Sequence, residues 1–204
     1  MPGSTSSSPT GRRRERASTI SLPAVPGFYR LAWGFYLALA IAGGIWVSAR
    51  EGGLPATLFL DPRHWWIDLA LGVAAGGVLL GLWRLLKTML TAGALLEQHF
   101  AGLLAGMEPG RTVALAALSG FSEELFFRGA VQGQWGLLPA SLLFGVLHTG
   151  PGAPFRLWTV FATLAGFALG GLAQWRGNLL ASIVAHFVLN AVNLRRLAAV
   201  HGTA

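Results

Sequence analysis

Three short constellations in this sequence place ionisable and amide side chains inside otherwise apolar runs. The first is Ser122-Glu123-Glu124-Leu125-Phe126-Phe127-Arg128, the second Phe144-Gly145-Val146-Leu147-His148, and the third His186-Phe187-Val188-Leu189-Asn190. On a helix, Glu124 and Arg128 share a face and can pair, whereas Glu123 points about 100° away and lacks that partner. Desolvation disfavours the charged form of such a carboxylate, which suits it to take a proton from water and return it to a leaving group. His186 and Asn190 also share a face, with Asn193 close to one further turn along. Counted from the ends of their apolar runs, Glu123 and His186 fall at matching depth, and this match is the main argument within the sequence for a shared site. The bland alternative is that each group is interhelical glue, or that Glu124 and Arg128 form a purely structural pair. Ionisable groups at such depth are expensive and mark functional sites by default. His64, His99 and His201 fall in loops or at interfaces and read as solvated.

The elements that must position these groups follow from composition. Apolar residues make up 53% of the 204, charged residues 11%, and mean hydropathy is +0.57. Soluble domains carry about 25% charged residues, so this chain has too few polar groups to cover a surface facing water. At about 20 residues per crossing, the length allows roughly five to seven passes. The apolar runs are residues 28–47, 66–86, 112–132, 135–148, 157–175 and 178–194; the fourth is too short to cross fully, so the depth of His148 at its end is left open. Residues 88–107, interrupted by Glu97, Gln98 and His99, read as an interfacial or partly inserted amphipathic helix. The expected fold is all-α: a polytopic transmembrane bundle of about six spans plus that helix, enclosing a polar cavity.

Net charge is +7, but the arginines and lysines sit in the N-terminal tail and at the edges of the runs. That is how topology-setting charges are spread, and no stripe for nucleic acid is formed. With the tail of Arg12, Arg13, Arg14 and Arg16 inside, Arg84, Lys87, Arg111, Arg156, Arg195 and Arg196 become cytoplasmic, and Arg50, Arg63 and Arg176 external. The eight tryptophans fall near the ends of the proposed spans, where indole prefers to lie. Gly72 with Gly76, Gly77 with Gly81, and Gly166 with Gly170 are spaced to permit close helix contact. There is no cysteine, which removes thiol nucleophiles and thiolate metal sites.

Written as E-E-x-x-x-R, F-x-x-x-H and H-x-x-x-N, in that order on separate apolar runs, the constellations resemble the CPBP family of type II CAAX prenyl endopeptidases and bacteriocin-processing or self-immunity proteins. The resemblance covers about residues 112–194. It implies an intramembrane endopeptidase with Glu123 as general base, His148 positioning and activating the water, and His186 and Asn190 donating to the oxyanion. Glu124 and Arg128 would hold the motif helix in place. Glu123, His148 and His186 could instead supply the two-histidine, one-carboxylate set of catalytic zinc. The absence of an H-E-x-x-H pair, and Asn190 as a poor zinc ligand, favour a reaction without a metal cofactor.

The organisation expected is a disordered cytoplasmic basic tail at 1–25, N-terminal membrane helices with the amphipathic segment at 26–111, a catalytic helical core at 112–196 and a C-terminal tail at 197–204. The expected partners are membrane lipids and a membrane-anchored protein or peptide substrate, without nucleic acid. The location would be a bacterial inner (plasma) membrane with the N-terminus cytoplasmic. Rival functions are a non-catalytic immunity factor or scaffold of the same family, and a small proton-coupled transporter.

Overall fold

A computed structural model describes residues 27–199. The readings made for the tail at 1–25, for residues 200–204 and for His201 lie outside the described residues. Within them the protein is all helix. Helix α1 is Phe28–Glu51, α2 Trp65–Met89 and α3 Thr91–Leu104. Helix α4 begins as Pro109–Glu124, widens into a π-helix over Leu125–Gln132 and closes with the turn Gly133–Trp135. Helix α5 is Leu137–Leu147, α6 Ala153–Arg176 and α7 Leu180–Ala199. The bundle matches the all-α expectation, and α1, α2 and α6 are long and apolar enough to cross a membrane.

Two shorter helices keep to the reading made for them. Helix α5 has 11 residues, a rise of about 16 Å against a hydrocarbon layer of about 30 Å. It is too short to cross, packs against α6 as a hairpin, and His148 follows directly on its last residue. The stretch 88–107 forms the 14-residue α3, again too short to cross. Its Glu97 accepts from Trp83 Nε1 at 3.3 Å and pairs with Lys87 and Arg196. That network removes the burial problem which marked the segment as interfacial.

Close helix contact is made at some glycine pairs and not at others. A Cβ on Gly72 would lie 2.7 Å from the Ala181 carbonyl, and one on Gly76 2.7 Å from the Ala185 carbonyl, so α2 and α7 touch backbone to backbone. Gly166 and Gly170 likewise admit Ser141 and Gln132. Gly77 and Gly81 face open space. The pattern alone could not separate these cases, because glycines offset by one residue lie on faces 100° apart. Trp83 also departs from the interfacial reading: it is buried among Leu79, Phe161, Trp158 and Leu189, its N–H taken by Glu97. A buried indole needs such a partner.

At the opposite end, Asp68 is fully buried and accepts from Arg176 and from Asn178 Nδ2 at 3.0 Å. Asn178 Oδ1 accepts from the Leu180 N–H at 2.9 Å, which fixes the start of α7. Gly177 between them takes φ 68°, a left-handed turn open to glycine without strain, and ends α6.

Candidate active site

The π-helix begins directly after Glu124. Hydrogen bonds from i to i+5 instead of i+4 widen the helix, and such turns recur at functional sites. Nothing in the residue order marks it. Arg50, at the end of α1, donates to the carbonyls of Gly129 and Ala130, both at 3.0 Å, and so covers acceptors near the end of this segment. Arg50, expected outside as a topology charge, also clamps α1 to α4.

Glu124 is fully buried. Its Oε2 lies 3.3 Å from Arg128 Nε, the i,i+4 pair expected, and its Oε1 accepts from His186 Nδ1 at 2.9 Å. Arg128 in turn donates to the Gly166 carbonyl at 3.2 Å and stands 4.4 Å from the centre of the Phe144 ring. Glu124 therefore ties the π-helical part of α4 to α7. Sequence spacing pointed to Arg128 but not to His186 as its partner.

Glu123 Oε2 is buried and has no hydrogen-bond partner. Around it stand His148 Nε2 at 3.6 Å and His186 Nε2 at 3.9 Å. His148 Nδ1 donates to the Phe144 carbonyl at 2.6 Å, and His148 O accepts from Thr159 Oγ1 at 3.1 Å. Both imidazoles thus spend Nδ1 on an acceptor and turn Nε2 to Glu123. Asn190 donates from Nδ2 to Ser119 Oγ at 2.9 Å, which leaves the second hydrogen of its amide group free. Glu123, His148, His186 and Asn190 all line a cavity of about 550 Å³ whose other walls are mainly apolar, among them Phe144, Trp158 and Leu189. Ser119 and Tyr36 line it too; neither was singled out from sequence, since a serine and a tyrosine in an apolar run are common and cheap.

Glu123 Oε2 and the two Nε2 atoms converge without touching, a spacing that a water, a shared proton or a cation would fill. Zinc bonds of about 2.0–2.1 Å in a tetrahedron would set neighbouring donors about 3.3 Å apart, closer than the 3.6 and 3.9 Å seen here. Among the described residues no group of three His, Cys, Asp or Glu side chains has the spacing to hold a metal ion. A water fits the donor set, because it can give hydrogens to Glu123 Oε2 and to one imidazole while keeping a lone pair.

Comparison with known proteins places this geometry in context. An uncharacterized protein of Bacillus subtilis (strain 168), YpbD, is 40% identical over 85 residues, which is 39% of this chain and 42% of that one. The chain thus spans less than half the length of this relative. No solved structure matches. A family model, "Type II CAAX prenyl endopeptidase Rce1-like", matches residues 105–192, a range that holds all three motifs. The resemblance read from those motifs is upheld, and residues 105–192 form an Rce1-like region.

Proposed function

We propose that the protein is an intramembrane endopeptidase that hydrolyses a peptide bond near a substrate's membrane-anchoring segment. The observation that carries this is the unpartnered Glu123 Oε2 facing two imidazole Nε2 atoms at 3.6 and 3.9 Å on the wall of an apolar cavity. Glu123 acts as general base. It takes a proton from a water that His148 orients, the oxygen attacks the substrate carbonyl carbon, and the same carboxyl returns the proton to the departing amine. Charge that develops on the carbonyl oxygen is received by the free hydrogen of Asn190 Nδ2 and by His186, with Nε2 protonated while Glu124 accepts from Nδ1. Glu123 and Glu124 against Arg128 and a protonated His186 close to zero net charge, which a buried site needs.

The reaction proceeds without a metal cofactor. An apolar cavity with few polar groups suits a segment delivered from lipid, and membrane lipids surround the exposed apolar faces of α1 and α2. Lys87 and Arg196 gather at Glu97 at one end of the bundle, and Arg176 joins Asp68 at the other. With a cytoplasmic N-terminus in a bacterial inner membrane, the end that holds Lys87 and Arg196 would face inside.

The test is cleavage of a library of membrane-anchored peptides by purified wild type and Glu123→Gln, each with and without chelator. The expected result is cleavage by wild type that persists with chelator and is lost in Glu123→Gln. Loss with chelator and recovery with zinc would overturn the metal-free mechanism. If wild type cleaves nothing and the cellular phenotype survives Glu123→Gln, the protein is a scaffold or immunity factor; proton-coupled flux in liposomes would mark a transporter.

A further inference from the structure

Helix α1 lies outside the matched region, yet one stripe of it follows α4 residue by residue. Tyr29, Tyr36, Gly43 and Arg50 are spaced by seven, and that spacing returns to the same face of a helix to within about 20°. Tyr29 sits beneath Arg111, its ring centre 5.5 Å from the guanidinium carbon. A Cβ on Gly43 would lie 3.0 Å from the Phe126 backbone. Arg50 holds the Gly129 and Ala130 carbonyls. The contacts run in order along both helices, so the two are parallel and in fixed register. Tyr36 lies between Tyr29 and Gly43 on this stripe, and it lines the same cavity as Glu123 and Ser119 of α4.

We propose that Tyr36 is a positioning residue of the Glu123 site, its hydroxyl donating to the carboxylate so that the other oxygen faces the two imidazoles from the cavity wall. No other protein donor holds Glu123: the two Nε2 atoms stand beyond hydrogen-bond distance at 3.6 and 3.9 Å, and Oε2 is unpartnered. A carboxylate on a freely turning side chain would present either oxygen to the water. One neutral donor on the far side removes that freedom without adding charge to a buried site. The N-terminal part of the chain thereby contributes to chemistry as well as to packing. This inference rests on the reading of Glu123 as general base.

Tyr36→Phe removes one oxygen and keeps the ring. In the cleavage assay kcat falls about tenfold, the scale of one hydrogen bond to a charged group, while KM stays within twofold. A second readout needs no substrate: the rate at which a hydrophobic carbodiimide labels Glu123, followed by fragment mass spectrometry. Freed of its donor, the carboxyl is labelled severalfold faster in Tyr36→Phe than in wild type. Tyr29→Phe, on the same stripe but away from the site, labels at the wild-type rate, and Tyr36→Met is read in the same way if Tyr36→Phe does not fold. Unchanged labelling overturns the proposal whatever happens to kcat, because a wall residue would alter turnover alone. Faster labelling in a protein that cleaves nothing leaves Tyr36 in place and removes the protease reading.

Discussion

Glu124 is the most consequential side chain for the fold, because one buried carboxylate serves two partners, Arg128 and His186. Glu124 is wholly inaccessible, the Arg128 side chain is 1% exposed, and their closest atoms are 3.3 Å apart. Replacing Glu124 by glutamine leaves a guanidinium buried without its counter-charge and weakens the hold on His186 Nδ1. Breaking a buried pair in this way costs about 3–5 kcal/mol. At about 2–4 °C per kcal/mol for a protein of this size, the melting temperature falls by about 6–20 °C. Arg128→Met loses less, since Glu124 still accepts from His186. The double variant Glu124→Gln with Arg128→Met buries no unpaired charge and melts above Glu124→Gln alone. Melting is followed by near-ultraviolet circular dichroism in detergent, and the cycle isolates the pair energy. Single variants within about 2 °C of wild type, or a double variant as poor as the sum of the two, would refute the reasoning.

Helix contacts make further predictions. A Cβ on Gly145 would stand 1.8 Å from Thr163 Oγ1, so Gly145→Ala lowers stability by about 1–3 kcal/mol through overpacking, and Thr163→Ala recovers part of the loss; equal melting of Gly145→Ala and wild type would contradict the contact. Gly76→Ala drives a methyl to within 2.7 Å of the Ala185 carbonyl, while Gly77 has nothing within 4 Å. Gly76→Ala therefore melts well below wild type and Gly77→Ala melts with it, measured side by side.

Much of this arrangement could be read from residue order, and the parts that could not have physical causes. The pairing of Glu124 with Arg128 followed from i,i+4 spacing because that relation is local. The second partner of Glu124, His186, lies 62 residues away and depends on how α7 is turned, which no local rule fixes. The short α5 was legible as a run too short to cross. The π-helix was not, since Leu125 to Gln132 carries no residue that a four-residue repeat would refuse. Trp83 and Trp158 looked like membrane-boundary indoles from their positions, but Trp83 is buried by α6 and α7 and Trp158 lines the cavity beside His148. Tyr36 was missed because the cavity wall it shares with Glu123 is built from another helix, although the stripe Tyr29, Tyr36, Gly43 and Arg50 was visible as a seven-residue repeat.

Because the chain contains no cysteine, proximity at the site can be read directly with introduced thiols. The pairs Glu123→Cys with His148→Cys and Glu123→Cys with His186→Cys are treated in native membranes with a bifunctional reagent that spans about one side-chain contact, on the scale of the 4–5 Å between touching groups. Both pairs should cross-link rapidly, while Glu123→Cys with His64→Cys should not. Cross-linking no faster than that control in the first two pairs would mean the carboxyl and the imidazoles do not share a cavity, and the hydrolase reading would fall with it.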